Sequence, residues 1–169
     1  MNPLRLTVVH GKHLRLTGID PVLAICLQEL PAILELRGKP EAHARLFPAP
    51  TAGDAAANRE WTETIEPELR HLFVSAGETV SRDLTQLRTS PRHPDQKFLT
   101  FPLAHLPAWI NAVNQARLIL AALANLDEID MNVPYPTLDP RKAAAVVRID
   151  VLAMLLERFV RHHNPRKRR

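Results

Sequence analysis

The stretch WINAVNQARLILAALAN, residues 109–125, sets the layout of the chain. It holds one charged residue, Arg117, and neither Gly nor Pro, so nothing inside it interrupts a helix. At roughly 100° per residue, Trp109, Val113, Ala116, Ile119, Leu120, Leu123 and Leu126 share one broad apolar arc. The opposite arc carries Asn111, Asn114, Gln115 and Asn125, with Arg117 at its edge, where an ordinary surface helix carries Lys and Glu. A central helix covered on most sides fits both arcs. Its amides then either fasten overlying loops or face a ligand or partner, which makes Asn111, Asn114, Gln115 and Arg117 the candidate binding residues.

A chain of 169 residues suits one domain and buries a sizeable core without disulfides or metal. Aromatic content is 5%, and Ala and Leu supply much of the 46% that is hydrophobic. That balance favours packed helices, so the expected fold is mainly α, a helical bundle around the central helix with a small N-terminal β-hairpin. The formal net charge is +4, but the last nine residues, RHHNPRKRR, carry five cations, which leaves −1 for the rest. The one cysteine, Cys26, lies in the apolar run VLAICL and reads as a small buried hydrophobe. No segment has the uninterrupted apolar run of a leader or a membrane span, which points to a soluble cytoplasmic protein with no membrane partner.

Toward the N-terminus, residues 4–17 alternate apolar and polar about a His10-Gly11-Lys12 turn and read as the hairpin. Asp20-Pro21 is a helix start, and Leu23, Leu27, Leu30 and Leu34 repeat at helical spacing up to Gly38 and Pro40. Pro31 lies inside that run, where a kink or a break between two shorter helices is expected. Residues 39–53 read as a loop whose Leu46-Phe47 pair tucks against the core. A helix is expected from Ala55 to Ile65, and a second from Pro67 to Leu87 with Leu69, Leu72, Phe73, Ala76, Val80, Leu84 and Leu87 on one face.

The Pro-rich segment between Leu87 and Pro107 reads as a loop that Phe98, Leu99 and Phe101 return to the core. After the central helix, DEIDMNVPYPTLD is an acidic linker. Asp139-Pro140 opens a last helix to His163 with Ala145, Ile149, Leu152, Leu155, Leu156 and Phe159 as its apolar stripe. Arg148 projects into that stripe, and a guanidinium there needs a carboxylate or carbonyls to meet it, so a paired Arg148 is expected to staple helix to loop. The folded domain is then 1–163 and residues 164–169 a basic disordered tail.

No catalytic signature is present. The five glycines, at 11, 18, 38, 53 and 77, form no phosphate-cradling loop, and there is no His-Glu-x-x-His or Gly-x-Ser-x-Gly. His162 and His163 are adjacent and fall on different helix faces. A non-enzymatic protein without metal or cofactor is expected; the alternatives are, second, direct nucleic-acid binding through the basic tail and, third, an enzyme using the polar face of the central helix. Arg166, Lys167, Arg168 and Arg169 could meet phosphates in a salt-sensitive, sequence-independent way, which keeps nucleic acid as a possible partner.

The order of features has a parallel. Arg45-Leu46-Phe47-Pro48, then Trp109, Asn114, Arg117 and Leu118, then the closing helix, resemble a bacterial domain-of-unknown-function family that includes an actinobacterial oxidative-stress-responsive transcriptional regulator. The resemblance covers about residues 4–162. It implies a helical, non-enzymatic regulatory or protein-interaction module, with transcription machinery as a partner for some members. Genes of the family often neighbour that of the Clp protease adaptor. With Cys26 alone, this chain cannot form an internal disulfide switch. Arg45, Phe47, Trp109 and Arg148 are expected as structural fasteners, with Arg45 and Arg117 pinning the loop on the central helix.

Overall fold

A computed structural model describes residues 3–128 and 130–163. The fold is mainly helical with a small antiparallel sheet. Strands β1 (Arg5–Val9) and β2 (His13–Ile19) form the expected hairpin, turning through His10 and Gly11 at φ 51° and 67°. Gly takes that left-handed region without cost, and His is among the side chains that tolerate it. Helices α1 (Pro21–Leu34), α2 (Pro40–Leu46), α3 (Ala55–Glu60), α4 (Glu66–Leu84), α5 (Leu106–Leu123) and α6 (Pro140–His163) follow. Strands β3 (Arg88–Thr89) and β4 (Lys97–Pro102) lie between α4 and α5. The sheet order is β1-β2-β4-β3, with Leu14 opposite Phe101 and Leu16 opposite Leu99.

Helix α5 packs against α1, α2, α4 and α6. Its Trp109, Val113, Ala116 and Ile119 are fully buried, as the apolar arc requires. Trp109 meets Phe101 of β4 at 5.1 Å and Phe159 of α6 at 5.8 Å between ring centroids, so one indole joins sheet, central helix and closing helix. From α1 the core takes Leu23, Leu27 and Leu30, and from α6 Leu152, Leu155 and Phe159.

The structure corrects several expectations. Of the kink or break expected at Pro31, the break is ruled out, since α1 runs on to Leu34. Pro31 removes one backbone bond a single turn before the helix ends, and the buried face made by Leu23, Leu27 and Leu30 outweighs it. Beyond Leu34, Lys39 Nζ donates to the free carbonyls of Ala32 (2.7 Å) and Ile33 (3.2 Å). The loop expected over 39–53 contains α2, started by Pro40. No break separates α3 from α4, because Trp61–Ile65 form a π turn in which Glu66 N–H reaches Trp61 O. That wide turn carries the helix past the missing N–H of Pro67. The segment between Leu87 and Pro107 is not only loop: β4 completes the sheet, burying Leu99 and Phe101 at alternate positions. On α4, Leu72 is exposed although its spacing places it on the apolar stripe.

Arg148 is paired, and its partner lies on a helix rather than a loop. Its Nε and Nη2 donate to the two carboxylate oxygens of Glu29 on α1 at 2.9 and 3.3 Å. Both side chains remain over a third exposed, so the pair contributes at most about 1 kcal/mol after solvent screening. The Arg148 hydrogen bond, and secondarily its charge, holds the Glu29 carboxyl below the usual carboxylate range. Its stabilising effect is therefore complete above that range and lost as pH falls through the lowered folded value. Arg148→Met is expected to be slightly less stable than wild type in urea denaturation at about pH 7, with the gap closing below about pH 3. A gap of the same size at both pH values would assign the effect to stem packing instead.

The phosphate contacts expected of Arg166, Lys167, Arg168 and Arg169 fall on residues outside those described.

Candidate functional site

The end of α1, helix α2 and the middle of α4 do not close completely over α5. They leave an open cleft of about 640 Å³, within the range of ligand pockets. Leu34 and Leu36 form one apolar wall, Phe73 and Val74 the other, and Gln115 of α5 lies at the base. Of the amides expected on the polar arc, only Gln115 reaches this cleft. Asn111 and Asn114 are exposed and take no part in it, which corrects their reading as internal fasteners. Asn125 serves the backbone instead, since at φ 49° it is the left-handed residue that ends α5.

Gln115 is 5% exposed, and its Nε2 has no hydrogen-bond partner among the described residues. Leaving such a donor unsatisfied costs about 1–3 kcal/mol, so the group is held at a free-energy cost to the fold. Arg117, half-buried, likewise has an Nε that lacks a partner among the described residues. Arg117 therefore lacks, at that atom, the fastening bond expected of it.

The α2 end of the cleft is built by the ArgLeuPhePro motif. Phe47 is buried and lies 5.0 Å from the His43 ring and 5.4 Å from Phe73. The Arg70 guanidinium sits 5.8 Å over Phe47. Glu66 accepts from Arg70 at 3.2 Å, approaches His43 Nε2 at 3.1 Å, and so ties the two cleft residues together. Phe47 thus fastens α2 to α4, on the core side of the motif. Arg45, on the other side, is exposed and has no hydrogen bond or ion pair among the described residues, so the pinning role expected of it has no contact behind it. It borders a separate depression with Asn125, Asp127 and Glu128. The cleft rim carries Arg37 and Arg70 against Glu35 and Glu78.

A buried polar cluster escaped the sequence reading. Asp83 of α4 is 6% exposed and accepts from Trp109 Nε1 at 2.9 Å and His105 Nδ1 at 3.0 Å. The signal was present: Asp83 stands three residues after Val80 and seven after Ala76, on the buried stripe, where a carboxylate needs partners. His105 and Trp109 lie four apart, one helical turn, and face it together.

Cys26 is buried, and burial pushes its thiol above the usual cysteine range, away from the reactive thiolate. Among the described residues no group of three or more His, Cys, Asp or Glu could hold a metal ion. No helix among them is long and apolar enough to cross a membrane.

Compared with curated proteins and with solved structures, the chain matches none. A family model described as "Domain of unknown function (DUF2017)" matches residues 16–162, most of the chain, and the chain belongs to that family.

Proposed function

We propose that this protein is a non-enzymatic regulatory module that binds a protein partner through the Gln115 cleft, and that transcription machinery is that partner. One observation carries the reading: an open, apolar-walled cleft with a buried carboxamide donor left unsatisfied at its base. An enzyme is disfavoured by what the cleft's reactive groups already do. The Ser81 hydroxyl donates to Gly77 O at 2.8 Å, and His43 is engaged by Glu66. Ser81 thus has no base bonded to its hydroxyl among the described residues, so the pairing that activates a hydroxyl nucleophile is not formed in the cleft. The cytoplasmic location expected from the sequence belongs to the same proposal.

Site-specific photocrosslinking in the native cell tests it. A photoreactive side chain at Val74, on the cleft wall, is expected to capture a discrete protein, with RNA polymerase subunits or a bound factor among the adducts. Gly77→Leu, which fills the wall, should abolish those adducts, and the same probe at Val8 on β1 should not yield them. No adduct from Val74, or the same adducts from Val8, would overturn the reading. Direct nucleic-acid contact through Arg166, Lys167, Arg168 and Arg169 is the second reading, resting on four consecutive cations. It requires DNA retention that falls steeply with salt and vanishes when residues 164–169 are deleted.

A further inference from the structure

Resting on that reading, we propose that the cleft recognises a peptide group: the Gln115 carboxamide pairs with a backbone amide of the partner while a neighbouring apolar side chain enters between Leu34 and Phe73. The chemistry of Gln115 suits such a ligand. A carboxamide offers a donor end and an acceptor end, and rotation about its last bond exchanges them. A peptide group offers the same pair in complementary order. Gln115 is 5% exposed with Nε2 unpartnered among the described residues, so this donor is desolvated and unsatisfied before any ligand arrives. A hydrogen bond made there replaces no protein contact.

The rim chooses between ligand classes. Arg37 and Arg70 stand against Glu35 and Glu78, two charges of each sign, and Arg70 is already held by Glu66 at 3.2 Å. A simple anion or cation gains little net attraction from such a rim, whereas a neutral, dipolar chain has a favourable neighbour at either end. The walls accept the apolar part. Gly77 adds room on the α4 side: a Cβ there would meet only Leu34, at 3.6 and 3.9 Å, which is ordinary contact. Alanine would therefore fit, and it forms helices better than glycine. Packing within the fold does not require the glycine, and its absent side chain leaves α4 backbone open to the cleft.

Titration of the isotope-labelled full chain by NMR tests this, with N-acetyl-leucyl-phenylalaninamide, octanoate and octylammonium as probes. The dipeptide is expected to shift the Gln115 side-chain amide resonances saturably and to bind at least about fivefold more tightly than either ion, the worth of one modest hydrogen bond. Gln115→Leu should weaken the dipeptide by about the same factor, and Gly77→Ala, a substitution the fold accommodates, should also weaken it. Absence of saturation, equal binding of either ion, or unchanged binding by Gln115→Leu would overturn the proposal. Protein adducts at Val74 together with a failed dipeptide titration would remove peptide-group recognition and leave the protein-binding reading standing. Dipeptide saturation without such adducts would do the reverse.

Discussion

Trp109→Ala is expected to lower the unfolding free energy by about 3–5 kcal/mol, the range for deleting a fully buried large aromatic side chain. Trp109 is 0% exposed and packs on Phe101 and Phe159, so its loss opens a cavity bordered by β4, α5 and α6 together. Relaxation at such a junction is limited, because each neighbour is anchored in a different element. In a chain of this size the corresponding fall in melting temperature is roughly 6–20 °C. Thermal denaturation followed by circular dichroism measures it, and a loss below about 1 kcal/mol would mean that the indole does not join the three elements.

Asp83→Ala is expected to cost about 2–4 kcal/mol through a different mechanism. The substitution removes little apolar contact but leaves the Trp109 Nε1–H, formerly bonded at 2.9 Å, without an acceptor in the core. His105 loses its carboxylate at the same time. Combining it with Trp109→Phe separates this from packing. Once the indole N–H is gone, removal of Asp83 should cost at least about 1 kcal/mol less than in the wild-type background. Additive effects in urea denaturation would show that the carboxylate and the indole do not interact.

The two substitutions also mark what could be read from residues alone. Trp109, Val113, Ala116 and Ile119 obey a helical period, and periodicity reports burial directly, so the central helix was legible. The stripes of α1 and α6 and the β1–β2 hairpin were legible for the same reason. What escaped depended on non-local pairing. Strand β4 is short and ends in Pro102, and nothing in Phe98–Phe101 reveals that β2, about eighty residues earlier, will supply its partner. The π turn before Pro67 escaped because proline normally marks a boundary, and here the ladder widens instead.

The candidate site was half legible. An uncharged polar arc on α5 pointed to its amides as a group, but period alone could not separate Gln115, beneath α1 and α4, from Asn111 and Asn114 in solvent. Which neighbour covers which turn is a tertiary fact. The cleft walls come from α1, α2 and α4, and Phe47, expected as the fastener of a loop, instead caps the end of a helix and packs on Phe73 of α4.

The unfolding free energy of Gln115→Leu is the deciding quantity for a cleft amide kept for a partner rather than for the fold. Replacing an unsatisfied buried carboxamide by an apolar side chain should raise stability by about 1 kcal/mol in urea denaturation. A loss of more than about 1 kcal/mol would mean that the amide is satisfied within the folded chain, and that the cleft holds nothing in reserve for a ligand.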